Sequence, residues 1–99
     1  MANDNTIDEI VDKWLRISQR DILTAKQGME AEIVITETIC YHCQQSAEKA
    51  LKAFLVKHQI EFPKTHNLMV LINLCSDIDE SLAMTFAERI TTWQHSLWL

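Results

Sequence analysis

One glycine and one proline in 99 residues leave almost no turn chemistry, and β-branched alternation is nearly absent, so strands have little support and helices must carry the fold. No uninterrupted apolar run approaches the roughly 20 residues that cross a bilayer, and the acidic opening MANDNTIDEI lacks the basic-then-apolar layout of a signal. A cytoplasmic location is the default expectation. Three cysteines are an odd number for a disulfide framework, and 47% apolar residues supply a core without staples, so the cysteines read as thiols. Basic residues are also scarce. The net charge of −5 excludes a protein that grips duplex nucleic acid with its whole surface.

What is present is unevenly placed. Residues 1–37 hold eight acids against four bases, 38–66 hold two against four, and 67–99 hold four against one. The middle third is the only net-basic part. At this length one domain, 1–99, is expected.

Periodicity predicts four helices. The first starts at Thr6, where T-I-D-E has capping-box form, and carries the stripe Ile7, Ile10, Val11, Trp14, Ser18, Ile22, Ala25 and Met29. Gly28 to Thr36 holds its end and a connection, although EIVI has strand propensity. The second runs to about Gln59, with Ile39, Cys43, Ala47, Ala50 and Phe54 inward and Leu51 and Leu55 widening the edge. Pro63 then biases Phe62 away from helical angles, and Thr65 is the expected cap of a short third helix bearing Leu68, Leu71, Ile72 and Cys75. Asp77 with Glu80 opens a fourth, with Leu82, Phe86, Ile90, Trp93 and Leu97 inward. Short links between four helices predict an all-α antiparallel up-and-down four-helix bundle. The apolar ending Leu97-Trp98-Leu99 packs onto that bundle or meets a second subunit.

Four groups of residues invite a chemical reading. Cys40, His42 and Cys43 resemble ligands, but on a helix His42 lies about 200° around the axis from Cys40, so the three do not close on one tetrahedral metal; packing thiols and no metal is the expectation. Tyr41, Gln45, Glu48 and Lys52 fall at spacings of four, three and four, with His42 and Lys49 alongside and Glu48 able to pair with Lys52. That face is either a solvated surface or a set of groups that hold a charged ligand or a partner helix. Lys64 and His66 flank Thr65 before a helix start, where free amides favour an anion, unless His66 merely packs on the preceding turn. Arg89 and His95 form R-x5-H, a pair in which a histidine moves a proton from an RNA 2′-hydroxyl while an arginine stabilises the phosphorane. Six helical positions set the two about 120° apart, so a single chain does not focus both.

C-Y-H-C-Q-Q-S-A-E-K-A-L-K-A-F-L followed by F-P-K-T-H-N-L closely resembles the signature of the HEPN domain, the higher eukaryotes and prokaryotes nucleotide-binding domain. The run Trp14-Leu-Arg-Ile-Ser18-Gln-Arg-Asp21-Ile22-Leu-Thr-Ala25-Lys26 is similar to the family's first-helix pattern, and the likeness spans Trp14 to about Trp93. The resemblance implies an all-helical bundle that pairs into a homodimer without a cofactor. It also implies a toxin–antitoxin setting beside a minimal nucleotidyltransferase, with a nucleotide or RNA as ligand. His42, Gln45, Glu48, Lys49 and Lys52 belong to the helix of the first signature block, and Lys64 and His66 to the second. The family's metal-independent endoribonucleases place an R-x4-6-H pair late in the bundle, where two subunits converge, and Arg89 and His95 stand where that pair is expected. ERITTW resembles the segment that precedes an arginine-tyrosine-proline ending, whereas QHSLWL follows here, so the C-terminal part is expected to be shortened or altered. Three functions are compatible with these residues: a binding member of such a pair, a ribonuclease toxin, and a purely structural dimerisation module.

Overall fold

In the computed structural model, which describes residues 4–81 and 84, the first helix, α1, spans Asp4–Met29. Lys26 in its last turn complements the helix dipole. An exposed Arg16–Asp12 ion pair at 2.7 Å spans one turn, and Thr24 Oγ1 donates back to the Arg20 carbonyl at 2.9 Å. The helix begins two residues before the expected Thr6, within the usual spread of such boundaries. Ile7, Ser18 and Ala25 of the expected stripe are buried and Val11 and Trp14 are half-buried, whereas Ile10, Ile22 and Met29 are exposed.

Residues 30–35 reverse the chain without any strand, so the strand propensity of EIVI is not used. Ile33, Val34 and Ile35 are all exposed, and β-branched residues form a strand only where a neighbouring strand completes the ladder. Helix α2 then spans Thr36–Lys57. Its N-cap is Ile35, whose side chain offers no oxygen, and Glu37 supplies the acidic first turn. Its end is a Schellman turn: Ile60 N–H donates to the Leu55 carbonyl at 2.9 Å and Gln59 N–H to that of Val56 at 3.0 Å. Gln59 takes φ 57°, the left-handed conformation that glycine usually supplies.

The two helices run antiparallel, since partners descend one helix as they ascend the other: Asp8 meets Lys57, Trp14 meets Lys52, Ser18 meets Ser46 and Asp21 meets His42. Gly28 lies opposite Ile39, where an added Cβ would stand 3.1 Å from Ile39 Cγ1, so the only glycine sits where the Ile39 side chain packs closely against α1. The face α2 buries is the expected one only in part: Leu51 and Leu55 are inside as expected, but the rest of the buried set differs. Leu51, Ala53 and Leu55 are buried together with Ser46, Glu48 and Lys52, while Ile39, Cys43, Ala47, Ala50 and Phe54 are half-buried. A helix covered on more than one side loses the simple inside–outside stripe.

The chain divides into two compact units, Met1–Glu61 and Phe62–Leu99, and the first is the hairpin just described. In the second, helix α3 spans Leu68–Ser76 and buries the expected Leu68, Leu71, Ile72 and Cys75. Its cap is Asn67 rather than the expected Thr65. Asn67 Oδ1 accepts from the Met69 and Val70 amides at 3.0 and 3.4 Å, while Thr65 Oγ1 accepts from Asn67 N–H at 3.0 Å, so the threonine braces the cap. Glu80, Ser81 and Met84 are helical; the rest of the expected fourth helix, with Phe86, Ile90, Trp93, Leu97 and the apolar ending, lies outside the described residues. The described residues are therefore all-α, with three helices and no strand, and no helix among them is long and apolar enough to cross a membrane.

Candidate functional site: a polar cluster on the second helix

The seam between α1 and α2 carries hydroxyls and charges where apolar side chains would ordinarily interdigitate. Ser18 Oγ donates to the Ser46 carbonyl at 2.9 Å and lies 2.8 Å from Ser46 Oγ, both residues buried. A hydroxyl so placed needs its bond, because an unmet buried donor costs about 1–3 kcal/mol. One turn on, Asp21 Oδ1 lies 3.1 Å from His42 Nδ1, and the Tyr41 ring meets the imidazole edge-on at 5.3 Å between centroids.

The second group is built by α2 alone. Glu48 is only 1% exposed, and its Oε2 accepts from Lys49 Nζ at 2.8 Å while its Oε1 stands 3.9 Å from Lys52 Nζ. Lys49 also donates to Gln45 Oε1 at 2.8 Å. The Lys52 ammonium lies 5.4 Å from the centroid of the Trp14 ring, which lets α1 hold one of α2's charges through the ring's negative face. The expected i,i+4 pair of Glu48 with Lys52 is thus present, but as a buried ion cluster instead of a solvated one. Taking ions out of water costs several kcal/mol each, so the cluster depends on close mutual partners. Two ammonium groups around one carboxylate leave the cluster a net positive charge, with Lys49 at 16% side-chain exposure its most accessible member.

His42, Gln45, Glu48, Lys49 and Lys52 are therefore brought to neighbouring positions on the same helix. Lys64 and His66 lie in the second unit, both exposed, in the loop ahead of α3. The Met69 and Val70 amides of that helix start, which an anion would otherwise meet, already donate to Asn67. Arg89 and His95 lie outside the described residues. Among the described residues no three His, Cys, Asp or Glu side chains converge as metal ligands. Burial pushes the Cys43 thiol up, with Cys40 adding to the effect, and burial alone raises Cys75, which keeps both thiols protonated and unreactive at neutral pH.

Sequence reasoning passed over Asp21, Ser46 and Trp14 as site residues. The signal was available: Trp14, Ser18, Asp21 and Ala25 are spaced four, three and four, so Asp21 occupies the buried stripe, where a carboxylate needs a partner.

No curated protein and no solved structure matches the chain. The HEPN domain family model matches residues 11–95, which covers most of both compact units and the whole of α2 and α3. A match over most of the length, with the polar cluster inside it, establishes that this chain belongs to the HEPN domain family.

Proposed function

We propose that this HEPN protein is a binding member of a toxin–antitoxin pair, taking a nucleotide and a minimal nucleotidyltransferase as its partners, without cutting nucleic acid. One domain, 1–99, closes as a four-helix bundle, pairs into a homodimer and works in the cytoplasm. The observation that supports this reading is the net-positive set of buried Lys52 and the more accessible Lys49 around buried Glu48, with Gln45 and His42 beside it. Cations in a partly desolvated place attract a phosphate more strongly than the same cations in open water. Lys64 and His66, in the loop ahead of α3, are proposed as ligand-binding residues in their own right on the strength of the family's second sequence block.

The test is thermal stability of the purified protein titrated with ATP, GTP and a minimal nucleotidyltransferase. A nucleotide at 100 times its Kd stabilises by about 2.7 kcal/mol, which a melting curve resolves readily. No shift with any of the three overturns the proposal. Light scattering over a dilution series tests the dimer, and a monomer at every concentration removes it.

The R-x5-H of Arg89 and His95 within the family match supports a second reading, an endoribonuclease toxin in which His95 is the general base and Arg89 steadies the phosphorane across the dimer. Growth arrest on expression that disappears in His95→Ala selects it over the first. Equal growth of the two strains eliminates it.

A further inference from the structure

Asp21 reaches across the helix seam to His42, and both side chains are half-buried, at 19% and 26% exposure. The 3.1 Å contact runs from Asp21 Oδ1 to Nδ1 of the ring. A carboxylate only accepts hydrogen bonds, so Nδ1 must carry the proton, and in a neutral imidazole this leaves the lone pair on Nε2. Nε2 has no hydrogen-bond partner among the described residues, and no described buried side-chain nitrogen or oxygen lacks one, so Nε2 reaches solvent. The edge of the Tyr41 ring, 80° from the imidazole plane, limits rotation of the histidine. The arrangement is a fixed proton acceptor facing outward, one helical turn before Gln45 and two before Lys49 on the same helix.

We infer that Asp21 is a positioning residue that locks His42 in its Nδ1–H form, so that Nε2 accepts a hydrogen bond from a ribose hydroxyl of the bound nucleotide. The ligand half of this statement rests on the function proposed above; the tautomer half does not. The division of labour follows from donor and acceptor chemistry. A phosphate has only acceptors to offer a neutral imidazole acceptor, so it goes to the ammonium groups. The group that suits Nε2 is a donor, and the donors of a nucleotide are its sugar hydroxyls and the amino and ring N–H groups of its base.

The tautomer is read from nitrogen-15 spectra of the full chain at about pH 8.5, well above the ordinary imidazole range. The wild type shows Nδ1 protonated and Nε2 bare; Nε2 protonated in the wild type overturns the inference whatever any ligand does. In Asp21→Leu the ring moves to the Nε2–H form, whereas Asp21→Asn, whose amide oxygen still accepts, keeps part of the native signal. If Asp21→Leu fails to fold, the wild-type and Asp21→Asn spectra still decide. For the ligand half the probes are ATP, 2′,3′-dideoxy-ATP and inosine triphosphate. Loss of one neutral hydrogen bond weakens binding about fivefold, so wild type should prefer ATP to the dideoxy form by that factor and lose the preference in His42→Ala. Equal affinity for ATP and dideoxy-ATP, or a loss only with inosine triphosphate, overturns the ribose assignment. Absence of binding by all three removes the nucleotide reading itself and the ligand half with it, while the spectra judge Asp21 independently.

Discussion

Replacing Glu48 by alanine should be among the most damaging single changes at a charged position of α2, although a helical wheel would place it with the solvent-facing charges. Its carboxylate is 1% exposed and holds two cations, Lys49 at 2.8 Å and Lys52 at 3.9 Å, of which Lys52 is itself only 8% exposed. Removing one partner from a buried charge cluster costs about 3–5 kcal/mol because the remaining charge loses its compensation inside a poorly hydrated place. Two features put this case near the low end. Lys49 is accessible enough to turn toward water, and the Trp14 face continues to hold Lys52. The expected loss is about 3 kcal/mol; at about 4–8 °C per kcal/mol for a domain of this size, the melting midpoint falls by more than about 10 °C. Glu48→Gln keeps an acceptor for Lys49 and should lose about half as much. The paired change Glu48→Met with Lys52→Met should recover most of the loss, since apolar groups of similar volume replace buried ion pairs at little cost. Chemical and thermal denaturation of the four proteins, with the exposed loop change Glu32→Ala as the control, give the numbers. An alanine variant within about 1 kcal/mol of wild type would show that the carboxylate is solvated in solution and would refute the argument.

The remaining predictions concern the seam, the helix ends and the thiols. Ser18→Ala should cost about 1 kcal/mol and Ser46→Ala less, since Ser18 keeps the Ser46 carbonyl as acceptor; a double-mutant cycle should return a coupling of about 0.5–1 kcal/mol, and additive losses would deny the pairing. Ile35→Asp supplies the missing cap oxygen of α2 from an exposed position and should raise stability by about 1 kcal/mol in urea titrations, a destabilised variant being the contrary result. Gln59→Gly relieves a left-handed conformation that costs an L-residue about 1 kcal/mol, and Gln59→Val deepens it, so their denaturation midpoints should fall on opposite sides of wild type. Burial raises the Cys75 thiol above its unfolded value, so its contribution to stability is complete below the ordinary thiol range near pH 8.5 and is lost as pH rises through the raised folded value. Melting temperatures should therefore decline on the alkaline side, less steeply in Cys75→Ala; identical slopes would contradict the burial.

Helix periodicity was legible where a helix has one wet side. The stripe Leu68, Leu71, Ile72 and Cys75 reads correctly because α3 buries that edge alone. Ile7, Ser18 and Ala25 read correctly on α1 for the same reason, whereas Ile10, Ile22 and Met29 fit the same period and remain exposed. Helix ends were less legible because the usual punctuation is absent. Glutamine fills the left-handed position after α2, isoleucine fills the cap before it, and the one glycine is spent on the close approach to Ile39 instead of a turn. Thr65 and Asn67 both have cap chemistry, and only the path of the chain after Pro63 decides that asparagine bonds the helix amides while threonine bonds the asparagine.

The candidate site was legible in membership and not in environment. An i,i+4 pair such as Glu48 and Lys52 is written identically whether it lies in water or in the interior, because spacing fixes the distance between two side chains on one helix and carries no information about what covers them. Its energetic meaning nevertheless changes from a few tenths of a kcal/mol on a surface to several kcal/mol when buried. Two clues in the chain pointed to the interior. Trp14 sits on the buried stripe of α1 with a broad face that suits an ammonium, and Asp21 follows on the same stripe with a charge that needs an opposite group across the seam. Neither names its partner from sequence alone, since pairing residues 21 and 42 or 14 and 52 requires the hairpin register, and Gly28 against Ile39 supplies one geometric anchor for it. Once that register is set, α1 supplies the aromatic face and the orienting carboxylate while α2 supplies the histidine, the amide and the lysines. The chemistry proposed for this chain therefore depends on the packing of the two helices, and a change that shifts their register by one turn should disable the site while leaving every one of its residues in place.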